Sequence, residues 1–249
     1  MRSVRAQRSV GLLLAGLLVL AVAPTTVAAR TTPFHLDIGR RADYVAQKNL
    51  VQCVGASMQM MLNIMSARND RTAATQLRLQ KLARQWSGPS RNGRIRAGAS
   101  VRGWAKGLTM VGGGPYQVVG MKSIHSAVLL AAKAMRTTGR PVGLLVWRGR
   151  HAWVMSGFRA TKDPLLPGAR ITKAIVEDPL FPYGGSSIWG PSPRPGEALS
   201  ISELGRQFVR RRQSTLNPAL SNKYVIVMPF EIHPRILRLH GLPATPAGI

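Results

Sequence analysis

Residues 142 to 160 constrain the fold of this chain more than any other stretch. Val142 to Trp147 is a continuous apolar run, the pattern of a central strand rather than a half-exposed one. Arg148-Gly149-Arg150 is a tight turn, and Ala152 to Ala160 returns as a second strand, so the pair reads as a hairpin. After a turn at Asp163-Pro164, Ile171 to Val176 reads as a third strand, stopped by Asp178-Pro179. Tyr116 to Met121 and Tyr224 to Phe230 are further strands. A sheet therefore fills the second half of the chain.

The first half carries a different period. Val54, Met58, Met61, Leu62 and Met65 recur at helical spacing, which predicts a helix over 54–65 with one buried face. Asp70 is placed to cap a second helix running to Trp86, with Leu77, Leu79, Leu82 and Trp86 as its apolar residues. Residues 87 to 99 read as an exposed loop, and Ser100 starts a short helix to Leu108. Ser123 caps a helix that ends at Gly139, before Pro141. Residues 180 to 199 are dense in Gly, Pro and Ser and read as loop. Ser200 and Glu203 then form a capping box for a helix carrying Ile201, Leu204, Phe208 and Val209, with Arg210 to Arg212 on its solvated end. Helices before a mostly antiparallel sheet make an α+β order.

The N-terminus is predicted to be an export signal. Arg2, Arg5 and Arg8 precede an apolar run from Val10 to Ala23, and Val27-Ala28-Ala29 supplies small residues for cleavage after Ala29. The run is shorter than the ~20 apolar residues that span a bilayer, and no other stretch is a candidate. The reading is a secretory signal at 1–29, an extended lead-in at 30–43, one domain at 44–233 and a loosely ordered tail at 234–249. The protein is thus expected outside the cell or on its envelope, with no transmembrane domain in the mature chain.

The signal holds three of the 35 basic residues and none of the nine acidic ones, so residues 30–249 carry 32 − 9 = +23. Such a field holds a protein near anionic cell-envelope polymers. The basic residues are scattered and aromatic residues are few, which argues against a specific nucleic-acid reader. His35, His125, His233 and His240 share no metal-ligand spacing, so no metal and no cofactor is expected. Met58, Met60, Met61 and Met65 read as core filling; Trp153 and Trp189 read as core packing, with flanking of a cleft as the alternative.

Cys53 is the only cysteine, so it forms no internal disulfide in an exported chain. It stands at the predicted start of a helix, where free N–H groups stabilise a thiolate. His151 follows a buried strand and a tight turn, which aim it with little freedom. Asp178 closes the strand expected to pair with the His151 strand, within reach of the far imidazole nitrogen. Gln47, six residues before Cys53, can donate its amide to an oxyanion beside the Cys53 backbone N–H.

These residues resemble the papain-like cysteine peptidases, and among them the bacteriocin-processing peptidases that cut after double-glycine leaders. Gln47-Lys-Asn-Leu-Val-Gln-Cys53-Val-Gly-Ala56 is similar to that family's Gln, five residues, Cys-Gly-x-Ala. Val54 stands where glycine is usual and Gln52 where aspartate is common. His151-Ala-Trp-Val-Met-Ser-Gly157-Phe158 and Val176-Glu-Asp178-Pro179 resemble the histidine and acid motifs, in the same order. Ser202 to Phe208 and Tyr224 to Met228 resemble the closing helix and strand, so the likeness spans about residues 44 to 230. Residues 66–140 carry no matching motif.

The resemblance implies a papain-like fold with the nucleophile helix packed on a mostly antiparallel sheet. It implies Cys53 as nucleophile, His151 as general base, Asp178 as its orienter and Gln47 as oxyanion donor. It implies hydrolysis of a peptide or protein substrate through a thioester. The transglutaminase-like group uses the same Cys, His, Asp order, and Gln47 favours the peptidase side. Val54 and Gln52 motivate a second expectation, an inactive papain-like binding module. The charge motivates a third, a non-enzymatic protein that coats an anionic envelope polymer.

Overall fold

The computed structural model describes residues 32–89, 97–186, 189–213 and 217–231. The expected export signal and the tail from residue 234 lie outside the described residues.

The chain enters as strand β1 (Phe34–Asp37) and makes a 3-10 turn at Arg41–Asp43. Helices α1 (Cys53–Ser66), α2 (Ala73–Gln85) and α3 (Val101–Met110) follow, then β2 (Tyr116–Met121) and α4 (Ile124–Thr138). Strands β3 (Val142–Val146), β4 (His151–Ala160) and β5 (Ile171–Glu177) run consecutively. A two-stranded ribbon, β6 (Gly185–Ser186) with β7 (Gly190–Pro191), precedes β8 (Glu197–Ser200), α5 (Ile201–Gln207) and β9 (Tyr224–Pro229). The main sheet has the order β2-β9-β3-β4-β5-β8, and β1 pairs with the far half of β4. Every ladder between described strands is antiparallel. The architecture is α+β.

Both faces of the sheet are covered, which explains the unbroken apolar run in β3. Leu144 and Val146 face one way and pack with Trp153, Met155, Ile226 and the α4 residues Leu130, Ala131 and Met135. Leu145 faces the other way and packs with Ala152, Val154, Met58 and Met61 of α1, Leu79 of α2 and Trp104 of α3. Each fully buried side chain of this size stabilises the fold by roughly 1.5–3 kcal/mol. Trp104 lies so close to β3 that a Cβ on Gly143 would sit 2.4 Å from its ring, so glycine is required there. Trp153 is core, as expected.

Several local expectations are corrected. The cap of α2 is Thr72, whose side chain accepts from the Thr75 N–H; Asp70 instead accepts from the Thr72 N–H and hydroxyl. The buried face of α2 is Gln76, Leu79, Gln80 and Ala83, while Leu77 and Trp86 are exposed. The 180–199 loop contains β8, which pairs with β5 from Lys173↔Ser200 to Val176↔Glu197. Within the extended lead-in, Phe34–Asp37 is β1, extended as expected and paired with β4 in the main sheet. The capping box at Ser200 and Glu203 forms, but α5 ends at Gln207, so Arg210 to Arg212 follow the helix rather than ending it. No helix of the described residues is long and apolar enough to cross a membrane.

Candidate active site

Cys53 is the first residue of α1. The loop before it is held by two glutamines one turn apart on α2. Gln76 accepts the Lys48 N–H at 2.8 Å and donates to the Ala46 carbonyl at 3.1 Å. Gln80 accepts the Gly55 N–H at 2.9 Å and donates to the Val51 carbonyl at 2.9 Å. These amides fix the backbone on either side of Cys53 without adding charge. Gly55 is what lets α2 approach, because a Cβ there would lie 2.8 Å from the Gln76 carbonyl oxygen. Val54, the departure beside the nucleophile, is buried in the helix-side core, and the helix starts regularly around it. Gln52 is buried too, and its Oε1 meets no hydrogen-bond partner.

Helix α1 lies against β4, with the Ser57 hydroxyl donating to the Ala152 carbonyl at 3.3 Å. That packing brings the Cys53 end of α1 to the first residue of β4, His151, which is paired across the hairpin with Val146. The His151 ring hydrogen-bonds Asp178 Oδ1 through Nε2 at 2.7 Å, and the Cys53 side chain and its charge act on the same ring. Asp178 is fully buried just beyond the end of β5. Its Oδ1 also accepts the Leu180 N–H at 2.8 Å, and its Oδ2 accepts the Ser192 hydroxyl. A carboxylate held on both oxygens cannot swing away from the imidazole.

Burial alone would depress the basicity of His151, but the bond to Asp178 and the neighbouring Cys53 side chain outweigh that and push its pKa up to about 9. With Nε2–H directed to the carboxylate, Nδ1 is the nitrogen left for the sulfur. Neighbouring Glu177 is also perturbed: burial raises its carboxyl to about 7, against hydrogen bonds from Ser156 and the Gly196 N–H.

Gln47 sits in the loop ahead of α1, where its backbone N–H donates to the Pro179 carbonyl at 2.7 Å. This bond ties the nucleophile loop to the segment carrying Asp178. The Tyr44 hydroxyl adds a second tie, donating toward the carbonyls of Asp178 and Phe181. The Gln47 side-chain amide donates to the Asn49 carbonyl at 2.7 Å, leaving its second hydrogen for another acceptor.

Sequence reasoning missed three residues on the far side of the imidazole. Trp147 stacks on His151, with ring centroids 4.3 Å apart and planes at 26°. Its indole N–H donates to Gln207 Oε1 at 2.9 Å, and Trp189, read as core packing or as flanking a cleft, stacks on Trp147. Gln207 in turn donates to the Pro191 carbonyl, next to Ser192. Trp147 closes the apolar run four residues before His151 across a tight turn, a signal that places it near the histidine. Ser192 and Gln207 carry no such signal, because their contacts span 14 and 60 residues. A cavity of about 630 Å3 opens behind this group, lined in part by Trp189, Ser192, Glu197, Glu203, Arg206 and Gln207.

Cys53, His151 and Asp178, from three separate elements, thus meet at one site, with His151 hydrogen-bonded to Asp178 and electrostatically coupled to Cys53, and with Gln47 in the adjoining loop. Among the described residues no group of three or more His, Cys, Asp or Glu is placed to hold a metal ion. No family model, curated protein or solved structure matches the chain.

Proposed function

We propose that the protein is a thiol hydrolase of papain-like type that cleaves peptide bonds. The observation that carries this reading is the line Cys53–His151–Asp178. In it, a sulfur at a helix N-terminus is coupled to an imidazole whose Nε2 is 2.7 Å from a buried carboxylate. A nucleophile, its base and the base's orienter in contact are the parts that covalent acyl transfer needs. The layout supports the papain-like comparison as well: a nucleophile helix packs on an antiparallel sheet whose strands present the histidine and the acid.

In the proposed reaction the Cys53 thiolate attacks the scissile carbonyl carbon. Its oxygen takes the negative charge, facing the N–H of Cys53 and the free amide hydrogen of Gln47. The His151 imidazolium gives its proton to the leaving amine as the C–N bond breaks, leaving a Cys53 thioester. His151 then takes a proton from water, whose oxygen attacks the thioester and releases the carboxylic acid. Asp178 holds the ring in one orientation throughout. The expected export signal and the basic composition support a role at the cell envelope, where anionic polymers concentrate a cationic enzyme.

One observation favours the alternative of an inactive binding module: the Gln47 amide already serves the Asn49 carbonyl. Labelling by a general papain-type covalent inhibitor, followed by a peptide-library cleavage profile, separates the two. Stoichiometric labelling of Cys53 with turnover is the expected result. Labelling without turnover of any peptide indicates the binding module, and no labelling at all rejects both papain-like readings.

A further inference from the structure

We propose that Trp147 is a positioning residue that holds the His151 imidazole in register with Cys53 and Asp178, and that Gln207 fixes the indole for that task. The proposal rests on the thiol-hydrolase reading and adds a residue that its chemistry does not itself require.

The backbone is the first observation. Trp147 and Arg148 both have φ of 55° in the turn between β3 and β4. Bulky residues rarely adopt this left-handed conformation, and outliers of this kind concentrate at functional sites. Here the conformation accompanies an indole stacked on the imidazole of the proposed general base.

The side-chain bonds are the second. Gln207 is buried, with 6 % of its surface exposed, and both ends of its amide are engaged. Its Oε1 accepts the Trp147 indole N–H at 2.9 Å and its Nε2 donates to the Pro191 carbonyl at 2.9 Å. Reversing the amide would break both bonds, so the orientation is fixed. The next residue, Ser192, donates to Asp178 Oδ2. One short segment, Pro191–Ser192, therefore restrains the imidazole twice: in its plane through the carboxylate, and perpendicular to it through the indole. Trp189 backs the outer face of the indole, with centroids 6.4 Å apart and planes at 11°.

An aromatic face over an imidazole favours its charged form, the form that pairs with a thiolate. The other charges near the ring have separate origins. Cys53 comes from α1 and Asp178 from the end of β5, while Arg148 and Arg150 stand exposed in the turn. Arg211, from the segment after α5, packs toward Gly149. The Arg148 and Arg150 guanidiniums oppose the imidazolium from solvent, where they are screened, the half-buried Arg211 donates to the Asn217 carbonyl, and the indole acts by direct contact.

The test reads His151 by NMR titration of its ring in a Cys53→Ala background, so that it does not depend on catalysis. Trp147→Leu should lower the imidazole midpoint by about half to one pH unit. In the parent chain with Cys53 intact, it should slow iodoacetamide alkylation at pH 7 by roughly fivefold. Trp147→Phe keeps a ring face and should restore most of both, and Gln207→Leu should fall between. A folded Trp147→Leu with an unchanged midpoint and alkylation rate overturns the proposal, as does a Phe variant no better than Leu. If Trp147→Leu does not fold, an unshifted midpoint in Gln207→Leu overturns it and a lowered one supports it. Failure of the hydrolase reading shows separately, as a parent protein that no papain-type inhibitor labels, and it leaves the titration comparison intact.

Discussion

The two sides of the candidate site are held by different means. On the nucleophile side, two neutral glutamines of α2 grip the backbone around Cys53, at Ala46, Lys48, Val51 and Gly55. On the base side, Ser192 and Trp147 grip side chains, the Asp178 carboxylate and the His151 ring. The first arrangement sets where the sulfur stands and leaves its charge alone. The second sets orientation and charge together. Damage to the α2 clamp should therefore appear mainly as lost stability, and damage to the base side mainly as altered chemistry.

The largest expected effects lie in the shared line. His151→Ala should reduce peptidase kcat/KM by roughly 10³-fold or more, and Asp178→Asn should cost less, because an amide oxygen still accepts the Nε2–H of the imidazolium but no longer offsets its charge. Next comes the clamp. Gln80→Leu leaves the Gly55 N–H and the Val51 carbonyl unpaired beside the core, at a cost of about 1–3 kcal/mol for a buried group left without a partner. Urea unfolding should show that loss, while the pH profile of the surviving activity keeps its shape. Gly55→Ala forces a methyl against the α2 backbone and should cost a similar 1–3 kcal/mol. Ser192→Ala should invert the pattern, with stability lowered by about 1 kcal/mol and kcat/KM falling several-fold as the carboxylate loses one restraint. Equal stability losses on both sides, with no difference in pH profile, would erase the contrast.

The smallest effects concern stability against pH, and two groups set their sign. His151 rises from 6.5 to about 9 in the fold, so its contribution is complete below pH 6.5 and is lost as pH climbs through about 9. Glu177 rises from 4.5 to about 7, which favours its protonated form. Its contribution is in place below pH 4.5 and is lost as pH climbs through about 7. Stability should therefore decline in two stages between about pH 5 and 9. Glu177→Gln should flatten the first stage and His151→Ala the second, as read by thermal unfolding across that range.

Much of this frame was legible in the sequence. The apolar run of β3, the turn before His151 and the methionine spacing of α1 are local patterns, and they located the sheet, the hairpin and the nucleophile helix. The clamp was not legible. Gln76 and Gln80 look like a solvated helix face, and only the approach of the 46–55 segment turns them into buried caps for another loop. The same limit misplaced Leu77 and Trp86, which periodicity put inside and the fold leaves exposed. β8 was hidden because four residues in a Gly- and Pro-rich stretch carry no period, and pairing with β5 alone makes them a strand. Cys53, His151 and Asp178 could be named from order and spacing. Ser192, Gln207 and the α2 glutamines act through contacts that no local pattern encodes.

The central claim is that Cys53 and His151 form one chemical unit. The most direct measurement is the rate of Cys53 alkylation by iodoacetamide from pH 4 to 10, in the parent protein and in His151→Ala. The account predicts that the parent stays reactive well below the range near pH 8.5 where an ordinary thiol ionises, and that His151→Ala returns to that range. A parent curve that follows an ordinary thiol and is unchanged by His151→Ala would contradict it.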